Sequence, residues 1–283
     1  MISATPRHKK CLEKWGAVHM QREVKMLRNA LITFFCVFVI SAFIYSNFVE
    51  AQVVTDGLVS YWTFDKADIN GKTVKDVIGS NDGNIINKVD VVNGKINQAL
   101  LFSGGGYVEV PDDPSLKPQE FSFQFWVNSN KDFGATTRFE LVDNTGQIVI
   151  RNDERGEFGS NLAFHWSDGG SWYAINPAKV PSAKEWYNVA ATHDGSEAKI
   201  YLNGNLEKSL KAKFAFSGGE VGISIGAHKW ASANFFDGMI DELLFYKKAL
   251  TKAEVEKNYK ASGLAVMHTS NKLSVCWGKL KSL

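Results

Sequence analysis

From Leu58 to Asn203 the chain repeats one signal: short runs of alternating apolar and polar residues, separated by Gly, Asn and Asp. A period of two puts the apolar set on one face of a β-strand. LVSYWTF (58–64), ALLF (99–102), YVEV (107–110), FSFQFWVN (121–128) and RFELVD (138–143) read as strands in this way. So do QIVIRN (147–152), NLAFHW (161–166), SWYAIN (171–176), WYNVAATH (186–193) and AKIYLN (198–203). Asp194-Gly195, Asn203-Gly204 and Asp143-Asn144-Thr145-Gly146 supply the residues that hairpin turns need. Phe121, Phe123, Phe125 and Val127 share one face, opposite Ser122, Gln124, Trp126 and Asn128. Across the hairpin 187–203, Val189 and Ala191 face the same way as Ala198, Ile200 and Leu202. About a dozen short strands at this spacing predict a β-sandwich or barrel. One helix is predicted, Thr251 to about Ala261, opened by a Thr251/Glu254 capping box and closed by Gly263.

The first fifty residues follow a different pattern. No charge occurs from Asn29 to Val49, and Arg22, Lys25 and Arg28 precede the apolar run Ala30–Tyr45. With Val49-Glu50-Ala51 this reads as a secretory signal cut between Ala51 and Gln52, with Met26 as an alternative start. An uncleaved anchor is the other reading, and only that reading puts the protein on a membrane. Domain boundaries follow: an export signal at 1–51, one β domain at 52–263, and a tail of uncertain role at 264–283.

The whole chain, 283 residues long, has a formal net charge of +2. Seven Lys/Arg and three Asp/Glu lie in residues 1–51, leaving 25 basic against 27 acidic residues and a body of −2. That removes the argument for a nucleic-acid partner. Cys11 and Cys36 fall in the export segment and only Cys276 remains, so the mature body has no intrachain disulfide and depends on its core.

The segments GLVSYWTFD (57–65), DVIGSNDGNI (76–85), GKINQALLFSGGGYVEVPDDPSL (94–116), FSFQFWV, EWYNVAATHDGSEAKIYLNG (185–204) and FFDGMIDELLFYKKALTKAEV (235–255) occur in this order. Together they resemble the laminin G-like, concanavalin A-like lectin/glucanase jelly roll of secreted bacterial proteins. The resemblance implies an all-β, two-sheet antiparallel jelly-roll sandwich with one short C-terminal helix. It also implies an extracytoplasmic place, secreted or at the cell surface, and a choice among lectin, adhesion module and glycosidase.

In the hydrolase branch of that fold one strand carries Glu-x-Asp-x-Glu or Glu-x-Asp-x-x-Glu, and no segment here reads so. Asp237, Asp241 and Glu242 come nearest. Gly238 suggests a turn after Asp237, and Glu242 has the opposite parity to Asp241. A non-enzymatic role is therefore expected, with a glycoside hydrolase of unrecognised dyad as the lesser alternative. The resemblance further implies a structural calcium where the first and last strands meet, carried by Asp65 and Asp241, with Asp76 and Asp82 as weaker members. For a ligand face, HWSDGGSWYAIN (165–176) offers Trp166, Asp168, Trp172 and Tyr173. Trp126 adds from a neighbouring strand and AHKWASANFF (227–236) adds Trp230 and Asn234. Exposed aromatics beside polar side chains suit a carbohydrate or surface glycan, or alternatively another extracellular protein. Trp62 and Trp186 are assigned to the core.

Overall fold

The computed structural model describes residues 25–29, 31–33, 52–134, 137–144, 147–153, 161–216, 222–228, 234–261 and 263. The chain separates into two compact units, Met1–Glu50 and Ala51–Leu283. In the first, residues 25–29 and 31–33 are helical, and the rest of the expected export signal lies outside the described residues, as does the tail 264–283. No described helix is long and apolar enough to cross a membrane.

The second unit is built from strands β1 (Leu58–Trp62), β2 (Ile69–Asn70), β3 (Thr73–Val74), β4 (Gly83–Ile86), β5 (Val89–Asn93), β6 (Gln98–Phe102) and β7 (Tyr107–Val110). They are followed by β8 (Phe121–Ser129), β9 (Phe139–Asn144), β10 (Ile148–Asn152), β11 (Leu162–Ser167) and β12 (Trp172–Ile175). The last are β13 (Tyr187–His193), β14 (Glu197–Leu202), β15 (Asn205–Lys211), β16 (Ile223–Ile225), β17 (Gly238–Tyr246) and the helix α1 (Lys252–Lys260). An eight-stranded sheet runs β15-β14-β13-β8-β17-β6-β5, with β1 also paired to β17. A nine-stranded sheet runs β12-β11-β10-β9-β16-β7-β4-β3-β2, and every pairing among the described strands is antiparallel. This is the expected two-sheet jelly-roll sandwich. Strands β2, β3, β4, β5, β15 and β16 were not signalled in the sequence. Three-residue β16 is too short to show a period, and edge strand β15 is mostly exposed, so it has no apolar face to display.

The inner faces meet in one core that includes Trp62, Phe121, Phe123, Phe125, Ile150, Phe164 and Phe245. Trp62 is buried as expected and donates Nε1–H to the Asn81 carbonyl at 2.8 Å; Trp186, expected in the core, is only half-buried.

A second cluster lies on the other side of the eight-stranded sheet, where Tyr61, Leu244 and Tyr246 pack against Val53, Val54, Leu250 and Val255. That sheet is thus covered on both faces, and β8 and β13 are buried at every position. The polar side chains on the helix-side face are satisfied together. Asn258 donates to Gln124 Oε1 and to Tyr246 Oη, each at 3.0 Å, while its own Oδ1 accepts from Val54 N at 2.7 Å. Gln124 donates to Asn188 and to the Val255 carbonyl. The helix starts as predicted, with Thr251 and Glu254 forming a complete capping box.

The closing strand departs from the sequence reading. Gly238 is its first residue rather than a turn, paired with Phe102 and Ser129. Its φ is +152°, and a Cβ there would stand 2.4 Å from the Asn128 carbonyl oxygen, so only glycine fits. A bulge separates the pairs Asp241–Trp126 and Leu244–Gln124, with Glu242 at φ +54°. It overturns the parity argument, because Asp241 and Glu242 both end on the helix-side face. Glu242 is buried and accepts a short hydrogen bond from the Tyr61 hydroxyl.

Candidate functional site

Two of the four expected metal-binding carboxylates come together. Asp241 is buried, its Oδ2 accepting from Lys95 N and Ile96 N at 2.9 Å each, while its Oδ1 has no partner. Asp65 holds the same loop from its other end, Oδ1 accepting from Gln98 N at 2.9 Å. Burial pushes the Asp241 carboxyl up to about 7 against the two backbone bonds, and the neighbouring Asp65 charge pushes in the same direction. The Asp65 carboxyl is raised as well, chiefly by burial.

Asp76 and Asp82 do not join them. Asp76 Oδ1 accepts from Tyr61 N, Ile78 N and Gly79 N, and its Oδ2 from Asn81 N. Asp82 Oδ1 accepts from Asp76 N at 2.8 Å. These two carboxylates tie a Gly- and Asn-rich loop to β1, the ordinary use of Asp in turns. Among the described residues no group of three or more His, Cys, Asp or Glu side chains gathers as a metal site. What Asp65 and Asp241 offer a hard cation is two oxygen donors, one of them buried and unspent. Backbone carbonyls and water would have to complete the six to eight ligands.

The predicted aromatic face is dispersed by the fold. Trp166 is fully buried, packed on Tyr173, His193 and Phe164, with Nε1–H donated to the Lys213 carbonyl at 3.2 Å. It is a core residue, since even parity with Leu162 and Phe164 points it inward. Tyr173 is half-buried against it, and its hydroxyl donates to Asp168 at 2.9 Å. Asp168 also caps its own turn through Gly170 N and Ser171 N, which hold its carboxyl below the usual carboxylate range. Trp126 belongs to the other sheet altogether. It lies beneath α1, 5.5 Å from the Tyr259 ring, with Lys95 Nζ 4.7 Å above its centroid. Trp230 lies outside the described residues. Of the others, Trp172 is 47 % exposed, and the Asn234 carbonyl accepts from Glu140 N beside β9.

Those two residues flank a constellation that sequence reasoning missed. On the non-core face of the nine-stranded sheet, Ala174, His165, Val149, Asp143, Ser224, Glu109 and Asn84 are successive cross-strand neighbours. Next to this row Arg151 pairs with Glu140, and Trp172 pairs with Ser167 at the sheet's edge. Arg138 grips Glu140 Oε1 through Nε at 2.9 Å and through its terminal nitrogen. Arg151 reaches Asp153 at 3.2 Å and lies 3.9 Å from Glu140, and His165 Nε2 is 3.3 Å from Asp153. His228 stands 3.7 Å from Asp143. Burial raises the Glu140 carboxyl, with Arg138 and Arg151 opposing it, and burial lowers His165. Glu140 Oε2, Arg151 Nε and Ser224 Oγ are buried with hydrogen-bonding capacity unspent. Glu140, Asp143, Arg151, Asp153, His165 and Ser224 are all buried, and the exposed members of this face are Trp172 at one edge and Glu109 and Asn84 toward the other.

A laminin G-type family model, described as the concanavalin A-like lectin/glucanases superfamily, matches residues 102–256. The chain belongs to this superfamily. Solved structures share its fold. Domain 4 of the GH43 extracellular arabinanase AbnA from Geobacillus stearothermophilus, in complex with arabinotriose, is 22% identical with a TM-score of 0.57, covering 74% of this chain and 99% of that one. The binding domain of botulinum neurotoxin DC in complex with rat synaptotagmin II is 17% identical with a TM-score of 0.55, covering 72% and 51%. The same domain in complex with SialylT is 18% identical, also at 0.55, covering 72% and 51%. The chain therefore spans about half the length of those neurotoxin domains. A search of curated proteins finds no match.

Within the superfamily fold, the missed residues did leave a trace in the sequence. Arg138 and Glu140 alternate with Phe139 and Leu141, and Arg151 and Asp153 with Ile150 and Asn152. What the chain alone withheld is that β9, β10, β11 and β16 are neighbours, so that isolated polar positions fuse into one patch.

Proposed function

We propose that this chain is an exported, non-catalytic carbohydrate-recognition module, and that its ligand face is the non-core face of the nine-stranded sheet. Glu140, Asp143, Arg151, His165 and Ser224 are buried within that face, and one observation at its edge carries the reading: Trp172, an exposed aromatic ring, adjoins the turn that bears the polar side chains of Asp168 and Ser171. A sugar ring stacks its C–H face on an indole and spends its hydroxyls on such groups. The arabinotriose and SialylT complexes of the arabinanase and neurotoxin domains support the ligand class. The carboxylates argue for binding rather than hydrolysis. Glu140 is held by Arg138, and Asp153 by Arg151 and His165, whereas a glycosidase keeps one carboxyl free to give a proton and another free to attack. Export is read from the charge-free apolar run before Gln52.

The test is a glycan array probed with the full chain, beside incubation with a broad polysaccharide panel. Binding without release of reducing ends is expected, and Trp172→Ala weakens it by about tenfold or more, near 1.4 kcal/mol. Reducing-end release would overturn the non-catalytic part, and an unaffected Trp172→Ala variant the assignment of the face.

The second reading, protein–protein adhesion, is favoured by Leu206 and Leu210, exposed on edge strand β15 near β12 and its Trp172. Failure on the array with capture of a surface protein, lost in Leu206→Lys/Leu210→Lys, would select it.

A structural calcium at Asp65 and Asp241 completes the proposal, supported by the unspent, buried Asp241 Oδ1. Calcium should raise the melting temperature and chelator lower it. Asp241→Asn should abolish the calcium response while keeping the acceptor for Lys95 N and Ile96 N.

A further inference from the structure

The gap between the two sheets is closed at one side of the sandwich and open at the other. Beside β12 and β15 the segment after β15 plugs it. Phe214 is buried against Phe121 and His193, and Ala215 N donates to the Ser167 carbonyl at 3.2 Å. At the opposite side β5 ends one sheet and β2 the other, and among the described residues a cleft of about 390 Å³ lies between them. Ile69, Ile85, Val89 and Val91 form its walls, and Lys66 and Gln98 its rim. Ile69, Val89 and Val91 pack on the core yet stay partly exposed.

Strand β5 is also an unguarded sheet edge. β15 carries Lys208, Lys211 and a bulge, and β2 has only two residues, features that discourage a further strand. β5 reads VDVVN, with a single charge. Gly94 N donates to the Asn97 carbonyl at 3.0 Å, so by antiparallel alternation Asp90 and Val92 bond to β6. Val89, Val91 and Asn93 therefore turn their N–H and C=O groups to the free edge.

An occupant of matching pattern exists in the same chain. A Cβ at Gly263, just past α1, would stand 3.6 Å from the Tyr61 hydroxyl and 3.8 Å from a Glu242 carboxylate oxygen. Gly263 also lines a small cavity together with Ile96, in the turn that follows β5. The tail 264–283 thus leaves the domain beside the Asn93 end of β5. Its one alternating segment is Leu273-Ser274-Val275-Cys276-Trp277, which puts Leu273, Val275 and Trp277 on one face. From β17 to a strand beyond β5 is three strand spacings, about 14 Å, and residues 264–272 can span about 30 Å. A segment that starts at the Asn93 end and moves away from it runs antiparallel to β5. The tail brings three lysines and no acidic residue, and without them the exported body has 22 basic residues against 27 acidic ones, so the overall charges attract.

We propose that residues 273–277 add to β5 as a further antiparallel strand, with Leu273, Val275 and Trp277 closing the apolar cleft between the sheets. The chain itself then fills this cleft, and the carbohydrate reading, which places its ligand at the other edge of the sandwich, is independent of it.

In that arrangement Cys276 faces away from the cleft, level with Asp90 or Val92. These are non-hydrogen-bonded pairs, whose Cα separation of about 4.5 Å suits a disulfide. The full chain carrying Cys11→Ser and Cys36→Ser is combined with Asp90→Cys or Val92→Cys, oxidised mildly, and digested for mass spectrometry. One of the two is expected to form an intramolecular link to Cys276, at least about tenfold faster than the same protein with Val275→Asp. Amide exchange at Val89, Val91 and Asn93 is expected to be at least about tenfold slower in the parent than in Val275→Asp. The variant should keep its far-ultraviolet circular dichroism and melt several degrees lower.

No link at either position, or equal rates with and without Val275→Asp, would show that the tail does not settle on β5. Links only between two chains would make the cleft an interface between copies. Unprotected amides at Val89, Val91 and Asn93 would leave the edge to another polypeptide. Each of these results overturns the proposal, and none bears on glycan binding.

Discussion

His193 lies among the rings of Phe121, Trp166 and Phe214, with centroids 5.8, 5.5 and 5.7 Å away. Its Nδ1 accepts from Gly195 N at 2.9 Å, so the neutral imidazole closes the β13–β14 turn. Burial pushes its pKa down to about 4, with the Asp194 charge opposing. The sign follows from linkage. The unfolded chain takes up a proton near pH 6.5 and the folded one only near 4, so stability is complete above the higher value. It falls as the pH drops between the two, by about 3 kcal/mol over the whole window. Burial pushes the Asp241 and Glu242 carboxyls up to about 7 and about 8, so their contributions run the opposite way over the same range. Urea unfolding of the parent and of His193→Asn at pH 7.5 and pH 4.5 therefore isolates the His193 part as the difference between the two profiles, since Asn keeps an acceptor near the Nδ1 position and does not titrate. Parallel profiles would show that His193 is not the group. The same residue shows how far a side chain's role can be read in advance. Its place in a strand was visible, but the aromatic cage comes from β8, β11 and the segment after β15.

At the scale of elements, α1 is bound to the sheet by polar groups as well as apolar ones. Asn258 joins Val54, Gln124 and Tyr246, and removing it strands Val54 N and Gln124 Oε1 and leaves Tyr246 Oη with only its bond to the Val54 carbonyl. Asn258→Ala is expected to cost about 2–4 kcal/mol, because unsatisfied buried groups forfeit their solvation without return. Thr251→Ala removes only the cap, at about 1 kcal/mol. Equilibrium denaturation of the two variants, compared with the parent, checks the ratio; similar costs would mean that the Asn258 network is worth little. The capping box was legible from Thr251 and Glu254 alone, since capping is local. Gln124 was read as lying on the non-core face of β8, which it does, but that face is roofed by the helix. Periodicity assigns a residue to a face, and it is silent on what covers that face. Trp126 was misread as a ligand-facing ring for the same reason.

For the whole molecule, the two ends of the domain meet in the sheet: Leu58–Trp62 pairs with Leu243–Tyr246, nearly the full length of the domain apart in sequence. The sandwich closes only when that pairing forms. Topologies dominated by such distant contacts fold on the millisecond-to-second scale. Stopped-flow refolding should therefore place the main phase in that range, and a microsecond phase carrying the full amplitude would contradict it. The same closure brings Asp65, just past β1, to Asp241 in the last strand, so any cation held there would fasten the two ends of the domain. The polar face is likewise a product of topology, since β9 acquires β16 as a neighbour from about 80 positions further along the chain.

The sequence by itself determined the fold class, the main strands, the helix with its cap, and the inward set of Phe121, Phe123 and Phe125. These depend on local period, turn chemistry and the burial preference of large apolar side chains. It also brought Asp65 and Asp241 forward through a resemblance to known proteins. Only the tertiary structure decided which aromatics are exposed, because Trp166 and Trp172 differ by little in local pattern yet face opposite sides of one sheet. It alone assembled Glu140, Arg151, His165 and Ser224, which hold no fixed spacing along the chain. Side-chain direction is a local property, whereas the neighbours across a sheet are set by strand order, and strand order is a property of the completed sandwich.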